Sequence, residues 1–488
     1  MASEIRVNKI IYRSGLSTVT FSDDGAIVSG IVSATVYTGS GANLTDLPAG
    51  NLSGTVSDAR ISTLTASKLS GDLPAISAAN LTNLPAANIT GTLPAIDGSA
   101  LTGINTAFGN SSVNTTGIIT ATAFVPSQGQ LSHRNLIING AMKVAQRGTS
   151  STSNGYQTID RFRSDIGSTS TTFTQSQQDL SSSDAPFALG FRKYKRIALA
   201  GAGTAAAGTY VEATAYRVEA QDLASSGWDY TSSSSYVTLQ FWFRCSTNQT
   251  FYTAIRMDDG TARMFSFSFT ASGNNTWTKV TKTIPGNSGI TINNDNGIGM
   301  SIFIIPYYGT NFTANGTALD TWNTYDSAAH FPDMASTWLT AGASTFDLTG
   351  VQLEVGSVAT PFEHKSFIED KLRCYRYFYQ PERGSYTLDL NGAGHRVADT
   401  MGAVVQAYPW PVEMRAAPTL SYDDNNGNSN RVAINGSNNS TTFNVLISLQ
   451  QNIQGIMGAF QYPHGITNIS ENESFRLWAY NFKASAEL

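Results

Sequence analysis

Paired carboxylates are the first residues of the chain whose type and spacing could support chemistry. They occur as Asp23-Asp24, Asp258-Asp259 and Asp423-Asp424, each followed by glycine or asparagine. A glycosidase holds two carboxyl groups roughly 5–10 Å apart across a cleft, whereas adjacent aspartates beside Gly or Asn are typical of turns. We therefore expect no catalytic residues and no enzyme activity. A polysaccharide depolymerase stays an alternative, with Asp258 and Asp259 as the first residues to substitute.

Metal and thiol chemistry have equally weak support in the sequence. No two of the five histidines lie at the spacing of zinc ligands, and the two cysteines do not make a disulfide framework. Cys245, between Arg244 and Ser246, reads as a buried core thiol. We expect no metal site and no cofactor. The histidines are His133, His330, His364, His395 and His464, and the other cysteine is Cys374.

Aromatic side chains are the strongest candidates for binding, because sugar rings present apolar faces to them and hydroxyl edges to polar groups. The stretch 307–338 is aromatic, rich in Asn and poorly periodic, which predicts a long loop, and long loops in compact domains often carry function. The alternative is that these rings only fix the loop to the core. The candidate glycan-binding residues are Trp228, Tyr230, Tyr307, Tyr308, Trp322, Tyr325 and Trp338.

Composition excludes several partner classes. Charged residues make up 13% of the 488 and the formal net charge is −5, without the concentrated basic patch that nucleic acid requires. We expect no nucleic-acid partner. The first 13 residues contain no apolar segment of signal-peptide type, and no apolar run approaches the 18 residues of a membrane span. We therefore expect no signal peptide and no membrane insertion.

The N-terminal part of the chain contains a repeated sequence. Asn43–Thr55 (NLTDLPAGNLSGT) returns as Asn80–Thr92 (NLTNLPAANITGT), and residues 39–107 contain no aromatic side chain. Short repeated turn-and-strand units form elongated arrays. Apolar burial within one chain is too small to offset the ordering of this tract, so we predict a shaft of three parallel chains, with a flexible stalk as the alternative.

Strand patterns dominate the remaining chain. Phe265, Phe267 and Phe269 alternate with polar residues, as do the apolar residues of 237–243, and such alternation predicts antiparallel sheets with one buried face. The predicted class is all-β: an elongated, trimeric β-repeat shaft, then a jelly-roll-like β-sandwich and a smaller C-terminal β-domain. The predicted segments are N-terminal strands (1–38), shaft (39–107), neck (108–134), sandwich (135–366), connecting helix (367–378) and C-terminal domain (379–488).

Four segments resemble a sandwich module of tailed-phage fibres. They are Asn135–Thr149 (NLIINGAMKVAQRGT), Tyr156–Phe162 (YQTIDRF), Gly350–Glu363 (GVQLEVGSVATPFE) and Cys374–Phe378 (CYRYF). The N-terminal pattern VNKI…RSGL…TVTF, which begins at Val7, and the repeat tract are similar to fibres of phages that infect marine cyanobacteria and other marine bacteria.

The resemblance implies a homotrimeric tail fibre of the virion, made in the host cytoplasm, that attaches the phage to its host. The N-terminus would join phage tail or adaptor proteins. The distal β-domains would bind a host surface polysaccharide or an outer-membrane receptor, and the sandwich would be built like carbohydrate-binding modules. That class often carries calcium, but the sequence shows no ligand set for it. A collar or head fibre without a receptor is the structural alternative. The expected virion-anchoring residues are Ile5, Val7, Ile10 and Ile11.

Overall fold

The structure, a computed structural model, describes residues 133–381 without a break and shorter runs on either side. The chain divides into two compact units, Met1–Thr116 and Gly117–Leu488. The predicted shaft and neck lie almost entirely outside the described residues, so the shaft and the homotrimer stay predictions. The shorter runs are 9–11, 18–23, 25–33, 35–36, 38, 40, 45, 388–395, 402–424, 426–436, 443–446, 450–451, 455–461 and 474–488.

The first unit contains a three-stranded antiparallel sheet in the order β1-β2-β3. Its apolar side chains are poorly covered within the chain: Phe21 is 46% exposed and Ile27 is 64% exposed. Of the predicted anchoring residues, Ile10 and Ile11 lie in β1, and Ile5 and Val7 fall outside the described residues. The strands are β1 Lys9–Ile11, β2 Thr18–Ser22 and β3 Gly25–Ser29.

A β-sandwich forms the larger part of the second unit, and it confirms the all-β, jelly-roll-like prediction. Four short helices accompany its strands: α1 Ala185–Ala188, α2 Ala220–Ala224, α3 Thr337–Thr340 and α4 Phe367–Tyr375. In chain order the strands are β4 Ser150–Ser151, β5 Arg163–Gly167, β6 Phe173–Asp179, β7 Lys193–Leu199, β8 Tyr210–Glu219, β9 Tyr236–Cys245, β10 Phe251–Met257, β11 Arg263–Phe269, β12 Thr278–Pro285, β13 Ile298–Ile305, β14 Tyr307–Tyr308, β15 Trp322–Thr324 and β16 Thr345–Val355.

Two antiparallel sheets build the sandwich. The six-stranded sheet has the order β12-β9-β16-β7-β6-β4, and the seven-stranded sheet has the order β14-β8-β13-β10-β11-β15, with β5 also paired to β8. Their facing sides meet in one core, where the ring of Phe243 packs against Phe251, Phe269 and Phe346 at centroid distances of 4.8–6.0 Å. The strict alternation that predicted these strands places their large apolar side chains in this core.

Helix α4 follows the sandwich and leads into the C-terminal strands. The Ser366 side chain caps it by accepting a hydrogen bond from the Glu369 backbone N–H at 3.2 Å. The long last strand pairs with four others in a six-stranded sheet, and a second sheet has three strands. These strands are β17 Phe378–Tyr379, β18 Leu388–His395, β19 Gly402–Pro409, β20 Thr419–Asp423, β21 Arg431–Gly436, β22 Phe443–Leu446, β23 Gln450–Gln451, β24 Gly455–Gln461 and β25 Ser474–Ser485.

A buried ion cluster ties the end of β25 to the sandwich. Glu487 bonds Arg147 at 3.0 Å and Arg161 at 2.6 Å, and the Arg161 guanidinium lies 3.4 Å from the centroid of the Tyr377 ring. Arg376 binds Glu219 in the same region at 2.8 Å through two nitrogens. Three of the segments that carry the fibre resemblance therefore meet at this joint, which holds the C-terminal strand against the sandwich.

Within the part of the chain that the structure describes, no helix has the length and apolarity needed to span a bilayer.

Candidate functional site

Three of the seven predicted binding rings lie in the sandwich core. Trp228 is 3% exposed, Tyr307 is 6% exposed and Trp338 is fully buried. The Trp338 indole N–H donates to the Thr345 carbonyl at 2.9 Å. A buried ring cannot present its face to a sugar, so these three residues stabilise the fold in this structure. This agrees with the alternative interpretation, in which the aromatic rings pack on the core.

Two further predicted rings, Tyr230 and Trp322, are half-buried. Tyr230 contacts Trp228 edge-on at 6.3 Å. Trp322 donates its indole N–H to the Pro285 carbonyl at 2.7 Å and packs against Phe265 at 5.6 Å. Each ring is held by its neighbours, and both pack against the sandwich core.

The remaining two, Tyr308 and Tyr325, are brought together by the predicted loop. Tyr308 is 5% exposed and Tyr325 is half-buried. Both rings pack on His330, at 5.5 and 5.4 Å, and burial lowers the His330 pKa to about 4, so this histidine is neutral at physiological pH. Tyr308 and Tyr325 border the outer face of the seven-stranded sheet.

A groove with a cavity of about 330 Å³ lies on that outer face. Its floor follows the strand register, in which Phe303 of β13 pairs with Ala215 of β8 and with Ala254 of β10. The alternating residues Ile302 and Ile304 point into the core. The small side chains of Ala215 and Ala254 therefore leave room above the sheet on either side of the Phe303 ring.

Aromatic rings form one wall of the groove. Phe312, from the loop after β14, contacts Tyr210 at 6.0 Å and Tyr308 at 5.0 Å. Gly167 lets Tyr210 approach, because a Cβ at that position would lie 2.5 Å from the tyrosine ring. The wall is thus built from two strands and one loop that pack on each other.

Arginine side chains supply most of the polar lining. Arg163 binds both oxygens of Asp165, at 2.5 and 3.1 Å. Arg256 binds Asp258 at 2.7 Å, and its guanidinium lies 4.9 Å from the centroid of the Tyr325 ring. Arg217 is the third arginine of the lining.

Arg217 pairs with Ser301 in the strand register, and Ser301 pairs with Arg256 on its other side. One Arg217 nitrogen donates to a main-chain oxygen of Leu488. Its Nε is buried and finds no hydrogen-bond partner among the described residues. The register therefore places two guanidinium groups on either side of a serine at the edge of the floor.

Glu212 is the remaining charged group of the groove. The Tyr308 hydroxyl donates to its Oε1 at 2.5 Å. Burial raises the pKa of Glu212, and nearby Asp165 adds to the rise. Burial and the Glu212 charge together raise the pKa of Tyr308 well above its ordinary value. Tyr308 is therefore a fixed neutral donor, and Glu212 takes up a proton more readily than an exposed glutamate.

The two cysteines and the pair Asp258-Asp259 serve structural roles in this part of the chain. Burial raises the pKa of Cys245 to about 12 and raises that of Cys374 well above its usual range, so neither forms a thiolate near neutral pH. Asp258 and Asp259 serve as acceptors for Arg256 and for Asn293. Among the described residues, no group of three or more His, Cys, Asp or Glu is placed to hold a metal ion.

The sequence analysis named Tyr308 of this groove and Tyr325 beside it, and it missed the other lining residues. A signal was present in the strands: a charged residue in an otherwise apolar strand marks the face turned away from the core. Glu212 and Arg217 in β8 and Arg256 in β10 are such residues. What the pattern could not show is that β8, β13 and β10 are neighbours.

Comparison with known proteins identifies no family. No protein-family profile and no curated protein matches the chain. Solved structures that are similar in part include a tailspike protein 4 domain of bacteriophage CBA120, described as enzymatically active. That match has 10% identity, covers 46% of this chain and has a TM-score of 0.24. The chain spans only 21% of the length of the tailspike domain.

Two other similar structures are shorter than this chain. One is a putative sugar-binding protein from Bacteroides thetaiotaomicron, at 10% identity, 46% of this chain, 100% of that one and a TM-score of 0.23. The other is a family 11 carbohydrate-binding module from Clostridium thermocellum, at 10% identity, 43% and 98% coverage and a TM-score of 0.21. With TM-scores this low, none of the likenesses assigns the chain a function.

Proposed function

We propose that this chain is a fibre protein of a tailed-phage virion that attaches the particle to its host, and that the groove binds a surface glycan. The fibre part of the proposal is supported by the sequence resemblance. The glycan part is supported by one observation: a groove on a rigid sheet combines a floor of small residues with an aromatic wall and several fixed polar groups.

Those features suit a sugar ring better than other ligands. The Phe303 and Phe312 rings offer apolar surface for the C–H face of a sugar, and the arginine and carboxylate groups can bond its hydroxyl edge. Side chains held on strands are positioned more precisely than side chains on loops. A glycan chain can also extend beyond the groove, since the groove is open to solvent.

Attachment by weak sites is strengthened if several copies act together. The proposed homotrimer would present three grooves on one particle-bound fibre. Linked sites can raise the overall avidity by about 10²–10⁴ over a single site without any new contact. Each groove therefore needs only modest affinity for the fibre to hold a phage on a cell.

We propose binding without cleavage, although one observation favours a depolymerase as the second candidate. Asp165 of β5 and Glu212 of β8 are direct register partners, and a raised pKa on one of two nearby carboxyls is a feature of glycosidases. Against this, Arg163 engages both oxygens of Asp165, and Tyr308 engages Glu212. Release of reducing sugar from host polysaccharide, lost in Glu212→Gln, would establish cleavage.

Titration of the full chain with purified host polysaccharide tests the binding proposal. Tyr210→Ala removes part of the groove wall and should weaken binding at least tenfold. Tyr230→Ala is the matched control, since it truncates another half-buried tyrosine outside the groove, and it should bind as the wild type does. Circular dichroism of both variants checks the fold. Equal binding by all three proteins would refute the groove as the site.

Adsorption assays separate a receptor-binding fibre from a collar or head fibre. The purified chain should compete with phage for host cells, and Tyr210→Ala should compete less well. A chain that binds no cell and blocks no adsorption would favour the purely structural alternative.

A further inference from the structure

The groove has many hydrogen-bond donors that the protein itself does not use. Each guanidinium carries five N–H donors. Arg163 and Arg256 each direct Nε and one Nη to a neighbouring aspartate. Their other terminal nitrogens have no hydrogen-bond partner among the described residues, and the same holds for the Nε of Arg217.

Most acceptor oxygens of the groove are, in contrast, already engaged, except the second oxygen of Glu212, for which no partner is found among the described residues. Both oxygens of Asp165 accept from Arg163. One oxygen of Asp258 accepts from Arg256, and the other accepts from the Ser301 hydroxyl at 2.6 Å. Glu212 accepts from Tyr308. A ligand that enters the groove therefore meets donors first, and it gains most when it brings acceptors of its own.

The charge of the lining points the same way. Arg163 and Arg256 each face an aspartate, which offsets their charge. Arg217 donates to a main-chain oxygen of Leu488 and forms no ion pair with a side-chain carboxylate among the described residues. Glu212 takes up a proton more readily than usual. The planar guanidinium fork matches the paired oxygens of carboxylate, sulfate and phosphate groups.

We propose that the groove selects acidic glycans, whose carboxylate, sulfate or phosphate oxygens accept from Arg217 and from the unused nitrogens of Arg163 and Arg256. This inference rests on the proposed function, because it names the class of glycan that the same groove binds. A neutral glycan supplies only hydroxyl oxygens, which make weaker bonds to a guanidinium than an oxyanion does.

A glycan array that contains matched neutral and acidic chains tests this with the full-length protein. Bound glycans should carry acidic groups, and chemical reduction of their carboxyl groups to alcohols should weaken the binding of uronate-containing chains tenfold or more. Separate sulfated and phosphorylated chains show which oxyanion is preferred. Raising the salt concentration from 50 to 500 mM should weaken acidic binding, because salt screens exposed charges.

Arg217→Gln gives the test at residue level. Loss of a charge-assisted bond should reduce binding of an acidic glycan tenfold or more and should weaken binding of neutral chains by a smaller factor. Arg192→Gln is the control, since Arg192 also bonds a backbone carbonyl and lies outside the groove. Arg217→Lys keeps the positive charge and should retain part of the affinity for the acidic glycan. Partial binding by this variant would show that the loss in Arg217→Gln is due to the missing charge and not to misfolding.

The two proposals fail in different ways. If the wild-type chain binds no glycan on the array, the proposed function is wrong, and this inference falls with it. If it binds neutral chains as well as acidic ones, or if Arg217→Gln binds acidic chains like the wild type, the groove still binds glycans and only the acidic selectivity is refuted.

Discussion

The buried joint between the sandwich and the last strand offers the sharpest test of the structure. Arg161 is 1% exposed, and Glu487 is the carboxylate that binds it, at 2.6 Å. The substitution Glu487→Gln preserves the shape of the side chain but removes its charge. Arg161 is then left buried without a negative partner, although it still stacks on Tyr377.

The expected cost is large because the pair is shielded from water. Removing one partner of a buried ion pair costs about 3–5 kcal/mol. The pair of Lys282 and Asp320 makes an informative control: its distance is also 2.6 Å, but its side chains are 27% and 57% exposed. Asp320→Asn should therefore cost about 0–1 kcal/mol.

Denaturant unfolding of the full chain measures both values. The transition is followed by tryptophan fluorescence, and the midpoint shift of each variant is compared with the wild type under the same conditions. A cost for Glu487→Gln of less than about 1 kcal/mol, or one equal to that of Asp320→Asn, would refute the conclusion that this joint is a buried, energetically coupled ion cluster.

Two further outcomes follow from the structure, and a third follows from the repeat in the sequence. Burial raises the Asp160 pKa to about 6, so its folded-state pKa exceeds the unfolded value, and its contribution is full below about pH 4 and lost as pH rises through 6. The unfolding free energy of the wild type relative to Asp160→Asn should fall by about 2 kcal/mol between pH 4 and 7, and a flat difference would contradict this. Trp338→Ala should lower the unfolding free energy by about 3–5 kcal/mol but leave the glycan affinity of the folded protein unchanged, as measured by calorimetry. A folded variant that has lost affinity would show that Trp338 belongs to the binding site. Sedimentation of the full chain should give three times the mass of 52.1 kDa, and a monomer would overturn the predicted shaft.

Local patterns were enough to predict the sandwich. Phe265, Phe267 and Phe269 alternate because one side of β11 faces the core, and that period of two is visible in any single strand. The helix after the sandwich was also visible, since the charged and apolar residues of the predicted segment 367–378 have helical spacing. Both features depend on neighbours along the chain.

The groove could not be predicted in the same way, because it depends on which strands become neighbours. β8 pairs with β13 and not with the strand that follows it in sequence, so Arg217 and Arg256 come together only in the folded sheet. Whether an aromatic ring is exposed depends likewise on tertiary packing. Trp338 and Tyr325 look equally suited to sugar binding in the sequence, yet the first is in the core and the second borders the groove.

The central claim, that the outer face of the seven-stranded sheet binds glycan, is tested most directly by a crystal structure of the chain with a bound acidic oligosaccharide. We predict density above Phe303, with an oxyanion group within hydrogen-bond distance of Arg217 or Arg256. The competing site is a second cavity, which lies beside Trp242 and Phe362 on the outer face of the other sheet. Ligand density there, with an empty groove, would contradict the account.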